Sequence, residues 1–99
     1  MKRHAKRDAN HCKVAGWYRD LGCSVADTHA AGIGVPDLFV GCVGLCHPVE
    51  VKTEEGRLLP SQETFIKTWR GTPVRVVRTQ QDVIDHVQEM RRLARRAAA

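Results

Sequence analysis

Leu45-Cys46-His47-Pro48-Val49-Glu50-Val51-Lys52 reads as a β-strand, and its last four residues decide how the rest of the chain is arranged around it. Side chains alternate along a strand, so Glu50 and Lys52 share one surface and Val49 and Val51 share the other. One face is suited to pack on a helix and the other to hold a polar site. Pro48 cannot donate to a ladder, so pairing should be incomplete near the start of this strand. Downstream, the polar loop Thr53-Glu54-Glu55-Gly56-Arg57 leads to a helix bracketed by Pro60 and Gly71, with Phe65, Ile66 and Trp69 as its apolar stripe. Residues 74–78, Val-Arg-Val-Val-Arg, read as a further strand. Two strands joined through a helix form a parallel pair with a crossover connection.

Working outward, Thr79-Gln80-Gln81-Asp82 has the S/T-x-x-D/E form of a helix start, and Val83, Ile84, Val87, Met90 and Leu93 give the last helix its core face. Its arginine-rich end, residues 95–99, is expected to fray. Towards the N-terminus, residues 37–41 and 23–27 read as two more strands, separated by a loop containing Gly32, Gly34 and Pro36. Short connections favour an antiparallel meander for the first three strands. Residues 8–21 carry Asn10, Val14, Trp17 and Leu21 at helical spacing, with Asp8 placed as an N-cap and Gly22 as a C-cap. Trp17 and Trp69 are both assigned to the core. The order is αβββαβα: an α/β fold with a mixed four-stranded sheet flanked by helices.

The 99 residues, 42% hydrophobic and 27% charged, suit a single globular domain over 1–99 and exclude a disordered or fibrous chain. There is no run of about 18 apolar residues, and the cationic start leads into no apolar stretch. The expectation is an intracellular, cytoplasmic protein with no membrane partner. The net charge of +5 is unevenly spread: the tail 1–7 and the end 91–99 carry four cations each, leaving 8 cations against all 11 acids between them. Basic ends suit a polyanion, whereas an acidic middle repels one unless a cation sits in it. Cys12, Cys23, Cys42 and Cys46 have neither paired zinc spacing nor an oxidising context and read as free thiols.

The acidic middle has a focus. In a meander the start of the second strand lies beside the end of the third, bringing Asp37 to Glu50 and Lys52. Two carboxylates so placed repel unless a proton or a divalent cation lies between them, and Mg²⁺ favours one or two carboxylates with water and phosphate oxygens. Gln62, on the inner face of its helix, needs a polar partner, either in this site or on loop backbone. His11 and His29 are read as surface or hydrogen-bonded structure.

Gly34-Val35-Pro36-Asp37-Leu38, followed after twelve intervening residues by Glu50-Val51-Lys52, resembles the P-D…(D/E)-x-K signature of the PD-(D/E)XK nuclease superfamily. With Phe39-Val40-Gly41, Thr53, Gln62 and Val74-Arg75-Val76-Val77-Arg78, the chain looks like small phage-type members of the VRR-NUC group, related to Holliday junction resolvases. The resemblance covers roughly residues 8–85. It implies a restriction-endonuclease-like αβββαβ core and a Mg²⁺- or Mn²⁺-dependent endonuclease acting on DNA, branched DNA included, as a homodimer without a small-molecule cofactor. Asp37 and Glu50 would be metal ligands with the Val51 carbonyl, Lys52 the catalytic cation, and Gln62 a group that positions water or substrate. Relatives carry a glutamate in the first helix; this helix has none, leaving Asp8 or Asn10 as the candidate ligand. Gly32, Gly34, Arg75, Arg78, Lys6 and Arg7 are the candidate DNA contacts. The alternative is a non-catalytic DNA-binding module on the same scaffold.

Overall fold

The computed structural model of the chain describes residues 10–98, so the readings placed on Lys6, Arg7 and Asp8 lie outside the described residues. Its elements run α1 (His11–Asp20), β1 (Ser24–Asp27), β2 (Leu38–Cys42), β3 (Leu45–Val51), α2 (Pro60–Thr68), β4 (Arg75–Val77) and α3 (Gln80–Ala98). The sheet order is β1-β2-β3-β4, with β1/β2 and β2/β3 antiparallel and β3/β4 parallel. Element order, meander and parallel crossover all agree with the sequence reading. β4 begins to pair at Val49, one residue after Pro48, and the Thr72 hydroxyl donates to the Cys46 carbonyl beyond the paired stretch.

The faces of β3 follow from alternation. Val49 and Val51 are buried with Leu38, Val40 and Val77 beneath α1 and α3, where Val14, Tyr18, Val83, Val87 and Met90 complete the core. Glu50 points to the other face, where the Gln62 amide of α2 donates to it and where Trp69, just beyond α2, meets Phe39 edge-on. The sheet therefore has α1 and α3 on one side and α2 on the other. Gly22, at φ +89°, ends α1 in the left-handed region, as its C-cap position predicted. Thr79 and Asp82 cap α3 reciprocally: the Asp82 N–H donates to Thr79 Oγ1 and the Thr79 N–H to Asp82 Oδ2, each at 3.1 Å.

Two core assignments are corrected and one is refined. On α1 the fully buried stripe is His11, Val14, Ala15 and Tyr18, so the helix is turned by about one residue, and Trp17, half-buried, packs against the core from its margin. Trp69 is 40% exposed, and none of the residues of α2 is fully buried. On α3, His86 takes a core position while Leu93 is 37% exposed.

His86 has a thermodynamic consequence. It is fully buried, shares a 2.6 Å hydrogen bond with the Tyr18 hydroxyl and packs edge-on against His47. Burial, reinforced by His47 and Arg75, pushes its pKa down from 6.5 to about 4, and burial lowers His47 as well. As pH falls through that window the unfolded chain takes up a proton that the folded chain refuses. Stability is therefore complete above the ordinary histidine value and decays below it, by up to about 3 kcal/mol for His86. Thermal unfolding between pH 7 and 4 should show the midpoint falling, and His86→Gln should flatten that slope. An unchanged slope in the variant would assign acid sensitivity elsewhere.

Candidate active site

Asp37 and Glu50 are the next positions outward from the paired residues Leu38 and Val49, so the two acids lie on one face of the β2/β3 ladder. Asp37 is held by the backbone of the neighbouring strand β3: the Val51 N–H donates to Asp37 Oδ2 at 2.9 Å. Glu50 is only 2% exposed, and Lys52 Nζ stands 3.8 Å from its Oε2. The Glu50 and Lys52 pair is thus a largely buried charge pair rather than a solvated strand surface.

Gln62 satisfies both partners considered for it. Its Oε1 accepts the Leu59 N–H at 2.8 Å, closing the start of α2, and its Nε2 donates to Glu50 Oε2 at 2.8 Å. The amide is useful here because only one end of it donates. Gln62→Glu keeps the acceptor for Leu59 but sets a carboxylate against Glu50. We expect a destabilisation of about 1–3 kcal/mol without divalent cations, read by thermal unfolding and reduced when Mn²⁺ is added. A melting point equal to that of the parent chain would contradict the assigned orientation.

Asp37, Glu50, Lys52 and Gln62 all line one cavity of about 510 Å³, with His29, Gly32, Gly34 and Leu59 among the other walls. Gly34 has φ +81°, and a Cβ there would stand 2.7 Å from the Ser61 carbonyl oxygen. Its lack of a side chain thus serves a close approach to the start of α2, in a loop that also walls the cavity. Gly32, at φ +146°, has open space around the Cβ position.

Other candidates serve different ends. Asn10 lies at the N-cap position of α1, and its amide nitrogen donates to the Lys52 carbonyl at 2.9 Å and the Arg78 carbonyl at 2.8 Å, tying the ends of the parallel strands together. Arg78 Nη1 donates to the Thr53 and Gly56 carbonyls, fastening the loop after Lys52. Arg75 is bonded to Glu89, whose carboxyl it holds below its ordinary value. Both arginines, read in the sequence as phosphate contacts, thus make intramolecular contacts through Nη1. The four cysteines are free thiols, Cys23 and Cys42 buried, Cys12 and Cys46 exposed. Burial, with a hydrogen bond to Cys42, pushes Cys23 up to about 12.

Two residues set aside in the sequence come to the site. His29 Nδ1 lies 3.4 Å from Asp37 Oδ1, and the His11 and His29 rings meet edge-on with centroids 5.5 Å apart. His29 stands eight residues before Asp37 in the same loop, a proximity visible in the sequence. His11 was concealed by the one-residue error in the α1 stripe. Comparison with known proteins returns no match among family models, curated proteins or solved structures.

Proposed function

We propose that this chain is a divalent-metal-dependent deoxyribonuclease with a restriction-endonuclease-like core, of the PD-(D/E)XK superfamily and the VRR-NUC group within it. The observation that carries this reading is the convergence of Asp37, Glu50, Lys52 and Gln62 on one cavity. The donor set fits Mg²⁺ or Mn²⁺, which take carboxylate oxygens and complete their shells with water and phosphate oxygens. Asp37 and Glu50, with the Val51 carbonyl, would hold the ion. When bound, it supplies charge neutralisation at a phosphodiester and lowers the pKa of water.

The chain's own residues set the geometry. The Val51 N–H fixes one oxygen of Asp37 and leaves the carboxylate further lone pairs for a ligand. Gln62 restrains Glu50, so little side-chain freedom remains to be lost on binding. Lys52 presents an ammonium that orients water or stabilises negative charge growing on the phosphate. The cavity is large enough to take a nucleotide-sized segment.

The resemblance to resolvases supports a homodimer that sets two such sites across branched DNA. Light scattering at working concentration tests this; a monomer counts against it. The second reading, a DNA-binding module without activity, is favoured by one specific feature: α1 carries no glutamate. A panel of branched and linear DNAs, incubated with Mg²⁺ or Mn²⁺ beside Lys52→Ala, separates the two. The nuclease reading expects cation-dependent cleavage, lowered about a hundredfold or more in the variant. Binding without cleavage under either ion would leave the second reading.

A further inference from the structure

We propose that His11, His29 and Asp37 form a binding site for a first-row transition-metal dication of the Zn²⁺ class, sharing Asp37 with the pair of carboxylates assigned to Mg²⁺ or Mn²⁺ but completed by the two imidazoles instead of Glu50. One ring nitrogen from each histidine and one carboxylate oxygen of Asp37 all lie within 4.8 Å of one another. Ligands of a tetrahedral ion at about 2.0 Å stand about 3.3 Å apart, a contraction that small side-chain rotations achieve. A second observation points to a ligand. His11 is only 3% exposed, and its Nε2 is buried with no hydrogen-bond partner. Asp27 Oδ1 stands 3.7 Å from that atom, beyond hydrogen-bonding reach. An unsatisfied ring nitrogen in the interior is costly unless something completes it, and imidazole nitrogen prefers Zn²⁺, Co²⁺ or Ni²⁺ to Mg²⁺.

The parts come from separate elements. His11 opens α1, while His29 and Asp37 begin and end the loop between β1 and β2. Asp27 Oδ1 accepts the backbone N–H of His29 at 2.9 Å, which fixes the start of the loop, and the Val51 N–H anchors Asp37 Oδ2, so the carboxylate ligand is already oriented. An ion there would pin the first helix to the loop that walls the cavity. Three protein ligands leave an open position for water or an exogenous donor. The inference does not depend on nuclease activity, although Asp37 serves both sites.

The test uses the full, untagged, metal-free chain titrated with Co²⁺ and followed by its visible d–d absorption. Thermal unfolding with and without Zn²⁺ runs in parallel. One tetrahedral, strongly absorbing Co²⁺ per chain is expected, without a thiolate charge-transfer band and displaced by Zn²⁺, whereas Co²⁺ on the oxygen ligands of the carboxylate pair, six-coordinate with water, absorbs weakly. His11→Gln and His29→Gln should each weaken it by at least about tenfold, and both should lose the Zn²⁺-induced rise in melting temperature. Glu50→Gln and Cys12→Ser should leave this tetrahedral absorption unchanged. If His11→Gln fails to fold, the less buried His29 carries the test. Wild-type affinity in His29→Gln, loss of binding in Cys12→Ser, or no Co²⁺ uptake by the parent chain would each overturn the proposal. Loss in Glu50→Gln together with retention in His29→Gln would place the ion on the carboxylate pair and overturn it equally.

Discussion

Glu50→Gln is expected to lower cation-dependent cleavage by about a thousandfold while leaving the fold intact. Glutamine matches the shape of glutamate, and its carbonyl can still accept the Gln62 Nε2 donor that now meets Glu50 Oε2 at 2.8 Å. What disappears is the negative charge in a position only 2% exposed. Charge matters most where water is excluded, because the attraction of a carboxylate for a dication is weakly screened there. Lys52 also loses the partner that stands 3.8 Å from it. The metal-free variant should stay folded but melt below the parent, since Lys52 is left as a largely buried ammonium without its carboxylate partner. Single-turnover cleavage and thermal unfolding measured on one preparation decide the matter: activity within about tenfold of the parent would remove Glu50 from the site. Asp37→Asn should behave alike, since its side-chain carbonyl can still accept the Val51 N–H.

Gly34→Ala is the substitution expected to damage the fold most for its size, by about 2–4 kcal/mol. Two independent penalties meet there. The backbone has φ +81°, where a Cβ crowds its own carbonyl, and the added carbon would fall 2.7 Å from the Ser61 carbonyl oxygen. That oxygen belongs to helix α2 and cannot swing aside like the end of a flexible side chain, so the loop or the helix must move. Both carry site residues, Asp37 on one side and Gln62 on the other. A drop in melting temperature of roughly 10–25 °C follows for a chain of this length, with cleavage impaired at temperatures where the variant is still folded. Gly32→Ala is the control: its φ of +146° is also strained, but open space surrounds the added carbon. If the two variants melt together, the contact with Ser61 does not constrain the loop.

Much of this was legible beforehand because it depends on local rules. Strand alternation put Glu50 and Lys52 on one surface, and their 3.8 Å separation follows from it. The turn signals at Gly22 and Thr79 carried their conformations with them, since few residues tolerate left-handed backbone or cap a helix. Short connections implied the meander that sets Asp37 beside Glu50. Other features were hidden because helical periodicity leaves the rotation of a short helix uncertain by one residue. That single offset set Trp17 at the margin of the core, hid Tyr18 at its centre and concealed His11, the residue that meets His29 of the loop. Arg75 and Arg78 show a different limit: a cation near a presumed site looks free for phosphate until the carboxylate or carbonyls that occupy it are known.

The sequence by itself determined the order of the elements, the sheet's mixed pairing and the common destination of Asp37, Glu50 and Lys52, because these rest on alternation, capping and connection length; Gln62 was left with two partners open. Only the tertiary structure decided what surrounds each of them. It showed Gln62 bonding both Leu59 and Glu50, Asn10 tying two strand ends, and an unpartnered buried nitrogen of His11 near His29 and Asp37. Such contacts join residues tens of positions apart, and their distances are set by how whole helices and loops pack, which no local pattern encodes.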